Sequence, residues 1–405
     1  MTPYWILFIV AAVGALTERA RKPVPSGIRP KGENLNPQDL NASWWLITLG
    51  LSLFIGLRHE VGGDWGNYVA NLESIDPNSL SPNGEGLGWL ATRETVYRLF
   101  EWLGKKSGGD IYLVNLLCAT LFAYGLARFC RSLPRPWLAL AAAIPYLVIV
   151  VAMGYTRQGV AIGCAMAGFT ALTHGQHLRF LFWVILAAGF HLTALVLLPL
   201  ALLVTSRRWF VSLIAMVVIA FVAAVLALGD TLAPYTKGYI EVAYQSEGAL
   251  VRLSMNLLPA LLFLMTKKRM AMAKEELRLF RWLSLGAVVL TVMYLISPSS
   301  TAVDRIGLYL IPLQLAVFSH LPNVLKRKVS PTFVAFSSVL YFGLVLFVWL
   351  AFAVHSGGWL PYQTLISQSS SGIEGSHRAV EFAIDSLELK PRLICFCGVY
   401  GQNGP

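Results

Sequence analysis

Residues 179–208 read RFLFWVILAAGFHLTALVLLPLALLVTSRR, a long apolar run that begins after Arg179 and ends before Arg207. Basic residues that flank apolar segments concentrate on the cytoplasmic side of a membrane, so both ends of this run are expected on the same side. The run therefore predicts two short helices in a hairpin over 180–204, with the turn at 189–191. At ~1.5 Å per residue, each arm is too short to cross a hydrocarbon core of ~30 Å.

Similar apolar runs recur along the rest of the chain. It has 405 residues, of which 56% are hydrophobic and 13% are charged, and its mean hydropathy is +0.62. These values predict an all-α polytopic membrane protein with about twelve membrane segments, the hairpin counting as two. We expect one membrane domain over 1–367 and a polar tail over 368–405. The other predicted spans are 3–16, 44–57, 111–127, 137–153, 158–173, 209–228, 254–266, 282–297, 306–320 and 331–354.

The basic residues behind the net charge of +11 are unevenly distributed between the two sides of the predicted membrane protein. When the loops are assigned to alternating sides from an outer N-terminus, the basic excess falls in the inner loops, as is usual for membrane proteins. The charge therefore does not predict a nucleic-acid partner. The largest outer loop is 58–110, and the helical spacing of its apolar residues predicts an amphipathic helix over 92–103 that lies on the membrane.

Four arginines oppose this side preference, because they lie at the outer ends of predicted spans: Arg58, Arg157, Arg252 and Arg305. Such a residue can extend its charged group to the interface, or pair with an acid such as the Asp304 that precedes Arg305. A guanidinium group also grips phosphate oxygens two at a time. Four of them on one face favour a site for a diphosphate at the membrane surface.

The start of the loop after the second predicted span combines basic, acidic, imidazole and aromatic side chains. It reads Gly56-Leu-Arg58-His59-Glu60-Val-Gly62-Gly63-Asp64-Trp65-Gly-Asn67-Tyr68. The two adjacent glycines form a flexible turn that can aim Asp64 toward the membrane, where its carboxylate would take a proton from an attacking hydroxyl. Otherwise Asp64 is a solvated acid or an ion-pair partner of Arg58. His59 and His191 are the alternative bases, although a lone histidine is more often a hydrogen-bonded structural residue.

Aromatic residues accompany these charged groups on the outer side. Trp65, Tyr68, Tyr155, Trp359 and Tyr362 are typical interfacial anchors, and they would equally serve as stacking surfaces for sugar rings.

Several other chemistries lack their motifs. The sequence has no phosphate-binding P-loop, dinucleotide-binding glycine motif, nucleophile elbow or zinc-protease helix. It has no Asp-x-Asp pair, and its five cysteines show no disulfide framework or zinc spacing. We therefore expect neither a metal nor a cofactor.

Five short elements resemble, in order, the EpsG family of bacterial exopolysaccharide polymerases, which are relatives of the Wzy-type polymerases. The resemblance runs from residue 44 to about 362, while Arg252, the loop 17–43 and the tail beyond 368 match no part of it. The resembling elements are Gly56-Leu-Arg58 with Gly62-Gly63-Asp64-Trp65 and Tyr68, then Arg157-Gln158, Phe190-His191-Leu-Thr193-Ala-Leu, Arg305-Ile-Gly-Leu-Tyr309 and Trp359-Leu-Pro361-Tyr362.

The resemblance implies a GT-C-like bundle in the bacterial inner membrane, with the active site toward the periplasm. It implies a polyprenyl-diphosphate-linked oligosaccharide, such as one on undecaprenyl diphosphate, as substrate. The lipid bilayer, a chain-length regulator and a flippase are the partners it implies.

We therefore predict a metal-independent polymerase that transfers a growing glycan from polyprenyl diphosphate to a lipid-linked repeat unit. The alternatives are a ligase like that for O-antigen, a single-sugar GT-C glycosyltransferase and, in another class, a transporter of lipid-linked oligosaccharides. The predicted catalytic residues are Asp64, His191 and Arg157, with Asp64 or His191 as the base. The predicted substrate-binding residues are Arg58, Glu60, Tyr68, Gln158, Arg252, Arg305, Tyr309, Trp359 and Tyr362.

Overall fold

Helices form almost all of the regular structure. The computed structural model describes residues 1–20, 40–76, 94–205, 248–296 and 300–368, and these ranges contain no β-strand. In chain order the α-helices are α1 (Thr2–Thr17), α2 (Ala42–Gly56), α3 (Trp65–Glu73), α4 (Thr95–Ser107), α5 (Asp110–Ser132), α6 (Pro136–Ala143), α7 (Thr156–Thr173), α8 (His177–Phe190), α9 (Leu200–Thr205), α10 (Ala249–Thr266), α11 (Lys274–Ile296), α12 (Ser300–Gly307), α13 (Ile311–Leu325), α14 (Pro331–Phe352) and α15 (Leu365–Gln368).

Local signals explain where several helices begin. The Asn41 side chain accepts a hydrogen bond from the backbone N–H of Trp44 and so caps α2. Pro136 and Pro331 stand in the first turns of α6 and α14, where their missing N–H has no helical partner to lose. The Glu18 carboxylate caps α6 from another segment, because it accepts the N–H groups of Trp137 and Leu138, each at 3.0 Å.

Within the described ranges, five helices are long and apolar enough to cross a membrane, namely Asp110–Ser132, Ala249–Arg269, Lys274–Ile296, Thr301–Leu325 and Pro331–Phe352. Shorter apolar helices accompany them at Thr2–Thr17, Ala42–Gly56, Pro136–Ala152, His177–Phe190 and Leu192–Thr205. The prediction of an all-α membrane protein is confirmed. The predicted span 209–228 and the tail from 369 lie outside the described residues, so the number of about twelve segments stays a prediction.

Polar contacts join the helices at both ends of the bundle. One end, which we call the upper end, contains Tyr4, Gln158, Arg305 and Trp359. There the Tyr4 hydroxyl donates a hydrogen bond to the Trp359 carbonyl, and Gln158 contacts Arg305. At the lower end, the Arg135 N–H donates to Ser319, and Glu18 caps α6. The basic run Lys267–Arg269 follows α10 on the lower side.

The segment 177–205 turns back within the molecule. The hydroxyl of Thr205 lies 3.4 Å from Nδ1 of His177, so the two ends of the segment meet. Arg278 donates to the Val204 carbonyl at 2.9 Å, which fixes this junction at the lower end. The 14 residues of α8 span ~21 Å, less than a ~30 Å hydrocarbon core. This geometry matches the predicted hairpin, with the turn at His191.

The returning arm of the hairpin is less regular than predicted. It consists of a 3₁₀ helix at Leu192–Leu197 and the short helix α9. Pro199 separates the two, and its missing N–H cannot join a continuous helical ladder.

The loop after α2 is bound to the segment that follows α14. Arg58 and Thr364 form an antiparallel bridge, and the His59 N–H donates to the Gln363 carbonyl at 2.9 Å. The Gly62 N–H donates to the Gly358 carbonyl at 2.9 Å. Two regions about three hundred residues apart in the sequence therefore share one backbone network at the upper end.

Trp359 fills the space beneath this loop. Its ring is buried, and its Nε1–H donates to the Ile149 carbonyl at 2.8 Å. The added Cβ of an alanine would lie 3.6 Å from this ring at position 63 and 2.5 Å from it at position 154. The absence of a side chain at Gly154 thus lets the backbone approach the indole closely, whereas at position 63 a Cβ would make an ordinary contact.

Helix α7 packs unusually close to α5. A Cβ on Gly125 would overlap the Gly163 carbonyl, and a Cβ on Gly163 would lie 2.5 Å from Cα of Phe122. Small residues at such a crossing allow two helices in a membrane to approach. The close crossing holds the first turn of α7, which carries Arg157, against the body of the protein.

Two short helices border the outer loop. The predicted amphipathic helix over 92–103 is confirmed as α4, which begins and ends a few residues later. Helix α3 was not predicted, because its one glycine and two asparagines favour a loop over 65–73.

We expect Gly62→Ala to destabilise the protein. Gly62 has a φ of +113°, which side-chain-bearing residues rarely adopt, and an added Cβ would overlap the Met153 carbonyl. A conformation of this kind costs about 1–3 kcal/mol. The melting temperature of the detergent-solubilised variant should therefore fall. Gly66→Ala is the matched control, since its added Cβ meets nothing within 4 Å; equal melting temperatures for the two variants would contradict the expectation.

Candidate active site

Arg157 lies at the upper end in the first turn of α7, between aromatic rings and an acid. Its guanidinium carbon lies 5.4 Å from the ring centre of Tyr68 and 5.6 Å from that of Tyr97. It forms an ion pair with Glu94, the residue that precedes α4. About a third of the side chain stays exposed, at 35%. Arg157 is thus oriented by stacking, while part of its fork can still reach a ligand.

Arg305 lies across from Arg157 and is held by Gln158. The amide nitrogen of Gln158 donates to the Arg305 carbonyl at 2.6 Å, and Nη1 of Arg305 donates to Oε1 of Gln158 at 3.1 Å. The guanidinium carbon lies 4.9 Å from the ring centre of Tyr155. Gln158 uses both ends of its amide on Arg305 and is buried, so its role is to position the arginine.

Asp64 stands at the start of α3, immediately after the Gly62-Gly63 turn. Among the residues the structure describes, no side chain or backbone N–H donates a hydrogen bond to its carboxylate. Burial raises the pKa of Asp64, and the positive charges of Arg305 and Arg157 oppose this rise. The carboxylate therefore faces the field of both arginines while no protein donor occupies it. A carboxylate with a raised pKa is a better proton acceptor than one in water.

His191 occupies the turn of the hairpin, where the backbone is extended between α8 and the 3₁₀ helix. Its Nδ1 lies 2.6 Å from the Thr193 hydroxyl, which lies 3.3 Å from the hydroxyl of the buried Tyr309. The positive charges of Arg305 and Arg157 act on His191 as they do on Asp64, so the imidazole belongs to the same charged cluster.

The contacts of Arg58 favour a structural role over the predicted substrate binding. Its side chain is 1% exposed, and its guanidinium donates to the Val61 and Ile55 carbonyls at 3.0 and 2.6 Å. It also donates to Asn115 at 3.2 Å and to the Thr156 hydroxyl at 2.7 Å. All three nitrogens donate to protein groups, so substrate binding by Arg58 stays a prediction that these contacts do not favour.

The contacts of Arg252 also favour a structural role over the predicted substrate binding. It is 5% exposed and forms a two-pronged pair with Asp304, with N–O distances of 2.7 and 2.8 Å. This pair ties α10 to α12. Asp304 precedes Arg305 in the sequence, but its carboxylate pairs with Arg252. The Arg305 guanidinium therefore does not share this carboxylate.

Four of the other predicted substrate-binding residues point their polar atoms at the protein. Tyr68 stacks under Arg157, Tyr309 bonds to Thr193, and Trp359 supports the glycine turn. The hydroxyl of Tyr362 donates to the Phe54 carbonyl at 2.7 Å, and its ring stacks on Phe54. These contacts favour a role in positioning the site, and substrate binding by the four residues stays a prediction. Glu60 is exposed, with Oε1 3.7 Å from Nε2 of His59, so it remains open to a ligand.

His59 contacts Tyr112, Trp65 and Glu60. Its Nδ1 is 2.6 Å from the hydroxyl of Tyr112, and its ring packs beside Trp65. These contacts favour Asp64 and His191 over His59 as candidate bases.

The sequence did not identify Glu94, Tyr97 and Glu101 as site residues. All three belong to α4 or its start, and Glu101 lies buried 3.6 Å from Arg98. Burial raises the pKa of Glu101 to about 7, against the opposing charges of Arg98 and Arg157. The only sequence signal was the polar face of the predicted amphipathic helix, which turns toward Arg157.

The candidate site therefore contains four reactive side chains, those of Arg157, Arg305, Asp64 and His191. Two arginines with free donors can bind an anion with several oxygens, one carboxylate can accept a proton, and one imidazole can donate or accept one. This set suits the departure of a phosphate-containing leaving group while a hydroxyl is deprotonated.

One of the comparisons with known proteins gives a match. The model of the EpsG family matches residues 41–364, which include every site residue named above. No curated protein and no solved structure matches the chain.

We expect Arg58→Lys to lower the melting temperature strongly, with Arg305→Lys as the matched control. Lysine cannot serve acceptors on three segments at once, and each buried group left without a partner costs about 1–3 kcal/mol. Arg305 has one side-chain hydrogen bond and lies partly exposed, so its exchange should change the melting temperature little. The structural role of Arg58 is refuted if the two variants melt at the same temperature as the parent protein.

The raised pKa of Glu101 predicts a pH effect on stability. Its folded-state value of about 7 exceeds the ordinary value of 4.5, so between these values the unfolded chain releases a proton that the folded chain keeps. The contribution of Glu101 to stability therefore declines as the pH rises from 4.5 to 7. Glu101→Gln should gain melting temperature relative to the parent protein as the pH goes from 5 to 8. A difference between the two that stays constant over this range would contradict the expectation.

Proposed function

The chain belongs to the EpsG family, and on this premise we propose that it is an exopolysaccharide polymerase of the bacterial inner membrane. It would transfer a growing glycan from polyprenyl diphosphate to a sugar hydroxyl of a lipid-linked repeat unit. The family and the membrane-spanning helices support a polymerase-type membrane protein. The donor, the acceptor and the roles of the residues are our proposal.

One observation carries the proposal: Arg157 and Arg305 face the same carboxylate and keep donors for a ligand. Both charges act on Asp64 and on His191. Neither guanidinium is sealed by protein, in contrast to Arg58 and Arg252. A diphosphate brings enough oxygens to engage two arginine forks, whereas a single carboxylate would occupy only one.

In the proposed reaction, the acceptor hydroxyl oxygen attacks the anomeric carbon of the growing glycan. The bond between that carbon and the diphosphate oxygen breaks, and polyprenyl diphosphate leaves with the electron pair. Asp64 accepts the hydroxyl proton, a step worth about 10²–10⁴-fold in rate. Arg157 and Arg305 stabilise the charge that develops on the leaving diphosphate, so the protein supplies the positive charge from its own side chains.

The charge distribution supports an active site on the periplasmic side. The basic run Lys267–Arg269 follows α10 at the lower end, and basic residues of this kind mark the cytoplasmic side. The site lies at the opposite, upper end. A GT-C-like bundle of about twelve segments, a chain-length regulator and a flippase remain part of the proposal on the strength of the resemblance.

The experiment uses purified protein with a polyprenyl-diphosphate-linked repeat unit from its host, followed by separation of the glycans by size. We expect a ladder of products that forms in EDTA and disappears in Arg157→Ala and Arg305→Ala. Arg179→Ala is the matched control, because Arg179 lies at the lower end and bonds only to Gln176 among the described residues; it should leave the ladder unchanged.

The other outcomes decide between the alternatives. A single added unit would indicate a ligase or a single-sugar transferase, and product formation only without EDTA would refute metal independence. Normal polymer from Arg157→Ala would overturn the role given to that arginine. No new glycosidic bond, with the substrate shown to be active by a control enzyme, would favour transport.

A further inference from the structure

Trp65 offers a partly exposed aromatic ring beside the candidate site. It is the first residue of α3 and directly follows Asp64. The ring of Trp359, by comparison, is buried and its N–H donates to a backbone carbonyl. Within the described ranges, the indole N–H of Trp65 has no hydrogen-bond partner. Both the exposed part of the ring and this donor are therefore open to a ligand.

Two other rings pack beside Trp65. The ring centre of His59 lies 5.8 Å from that of Trp65, and the ring centre of Tyr112 lies 6.1 Å from it. Nδ1 of His59 and the hydroxyl oxygen of Tyr112 are 2.6 Å apart, so a hydrogen bond joins these two side chains. We call the three residues the aromatic cluster. They come from α3, from α5 and from the loop after α2, so three segments fix its shape.

The aromatic cluster has acids at its rim. Glu60 is exposed, and its Oε1 lies 3.7 Å from Nε2 of His59. The negative charges of Glu60 and Asp110 both act on Tyr112. The backbone beside Glu60 is fixed, because the His59 N–H donates to the Gln363 carbonyl at 2.9 Å. These acids repel an anionic diphosphate, so the cluster suits a different part of the substrate from the one that the arginines suit.

A sugar ring matches the rings and the acid together. Its C–H face can pack against an aromatic ring, while its hydroxyls donate to a carboxylate and accept from an indole N–H. A cation would also suit aromatic rings beside an acid. However, the guanidinium carbon of Arg58 lies 5.9 Å from the ring centre of Trp65, so a second positive charge on this ring would be repelled. The cluster therefore favours a neutral ring that carries hydroxyls.

We infer that Trp65, Tyr112 and Glu60 bind the acceptor sugar, the residue of the incoming repeat unit whose hydroxyl attacks. This inference rests on the proposed function for the identity of that sugar as the acceptor. Asp64 and Trp65 are adjacent in the chain, with Cα atoms about 3.8 Å apart, so a sugar packed on Trp65 lies beside the proposed base. The acceptor and the diphosphate are then bound by different side chains.

The first test measures binding of a free oligosaccharide, one repeat unit released from its lipid carrier by mild acid. Saturation-transfer difference NMR detects the sugar protons that contact the detergent-solubilised protein. We expect signals with the parent protein and with Trp65→Phe, which keeps a ring, and their loss with Trp65→Ala. Trp45→Ala is the matched control, because this exposed tryptophan lies near the start of α2, at the end of the helix away from Arg58. Equal signals for the two alanine variants would overturn the inference.

The second test measures the KM for the lipid-linked repeat unit. Glu60→Gln keeps the size of an exposed side chain but removes its charge, so folding should not change. We expect KM to rise about 10–100-fold, the worth of one hydrogen bond to a charged group, with a smaller change in kcat. If Trp65→Ala does not fold, Glu60→Gln decides the outcome, and an unchanged KM overturns the inference. If Trp65 is only an interfacial anchor, Trp65→Ala will fold and keep the KM of the parent protein.

The two proposals fail in different ways. A parent protein that binds the oligosaccharide through Trp65 and forms no glycosidic bond refutes the polymerase and retains the sugar site. Normal polymer and an unchanged KM in Trp65→Ala refute the sugar site and retain the polymerase. The absence of any oligosaccharide signal with the parent protein overturns the inference as well.

Discussion

The buried guanidinium of Arg58 is the constraint on which the site depends. It is a charged group without a paired carboxylate among the described residues, and it is stable only because carbonyl, amide and hydroxyl oxygens surround it. Those acceptors come from the end of α2, from α5 and from the start of α7. Val61 leads to Asp64, and Thr156 precedes Arg157. One side chain therefore sets the separation between the proposed base and a proposed anion-binding group.

Around this constraint the arginines divide into two kinds. Arg58 and Arg252 are sealed and join helices, while Arg157 and Arg305 are held from one side by rings or by Gln158 and remain accessible from the other. Burial decides the difference. A sealed guanidinium contributes position, whereas a half-open one contributes charge that a ligand can use.

The sequence predicted the helices well, and the site less completely. The length of the apolar run within 179–208 and the arginines at both of its ends were sufficient to predict the hairpin. They were also sufficient to predict that His191 lies inside the protein. The four arginines looked alike, however, because flanking residues do not show which guanidinium will meet Asn115 and Thr156, far away in the chain. Glu94 was missed for the same reason, since its partner Arg157 lies 63 residues away. The glycine turn was recognised, but its dependence on Trp359 required the fold.

Because Arg157 is paired with Glu94, an anionic ligand would have to displace the Glu94 carboxylate in order to bind the guanidinium. An arriving anion competes with a resident carboxylate for the same guanidinium, so it gains only the difference between the two interactions. A singly charged lipid headgroup matches the carboxylate in charge and would gain little. The proposed diphosphate carries more charge and would reach Arg305 as well. The Glu94 carboxylate would therefore protect Arg157 from singly charged lipid headgroups. The site would then select its ligand by the number of negative charges that the ligand carries.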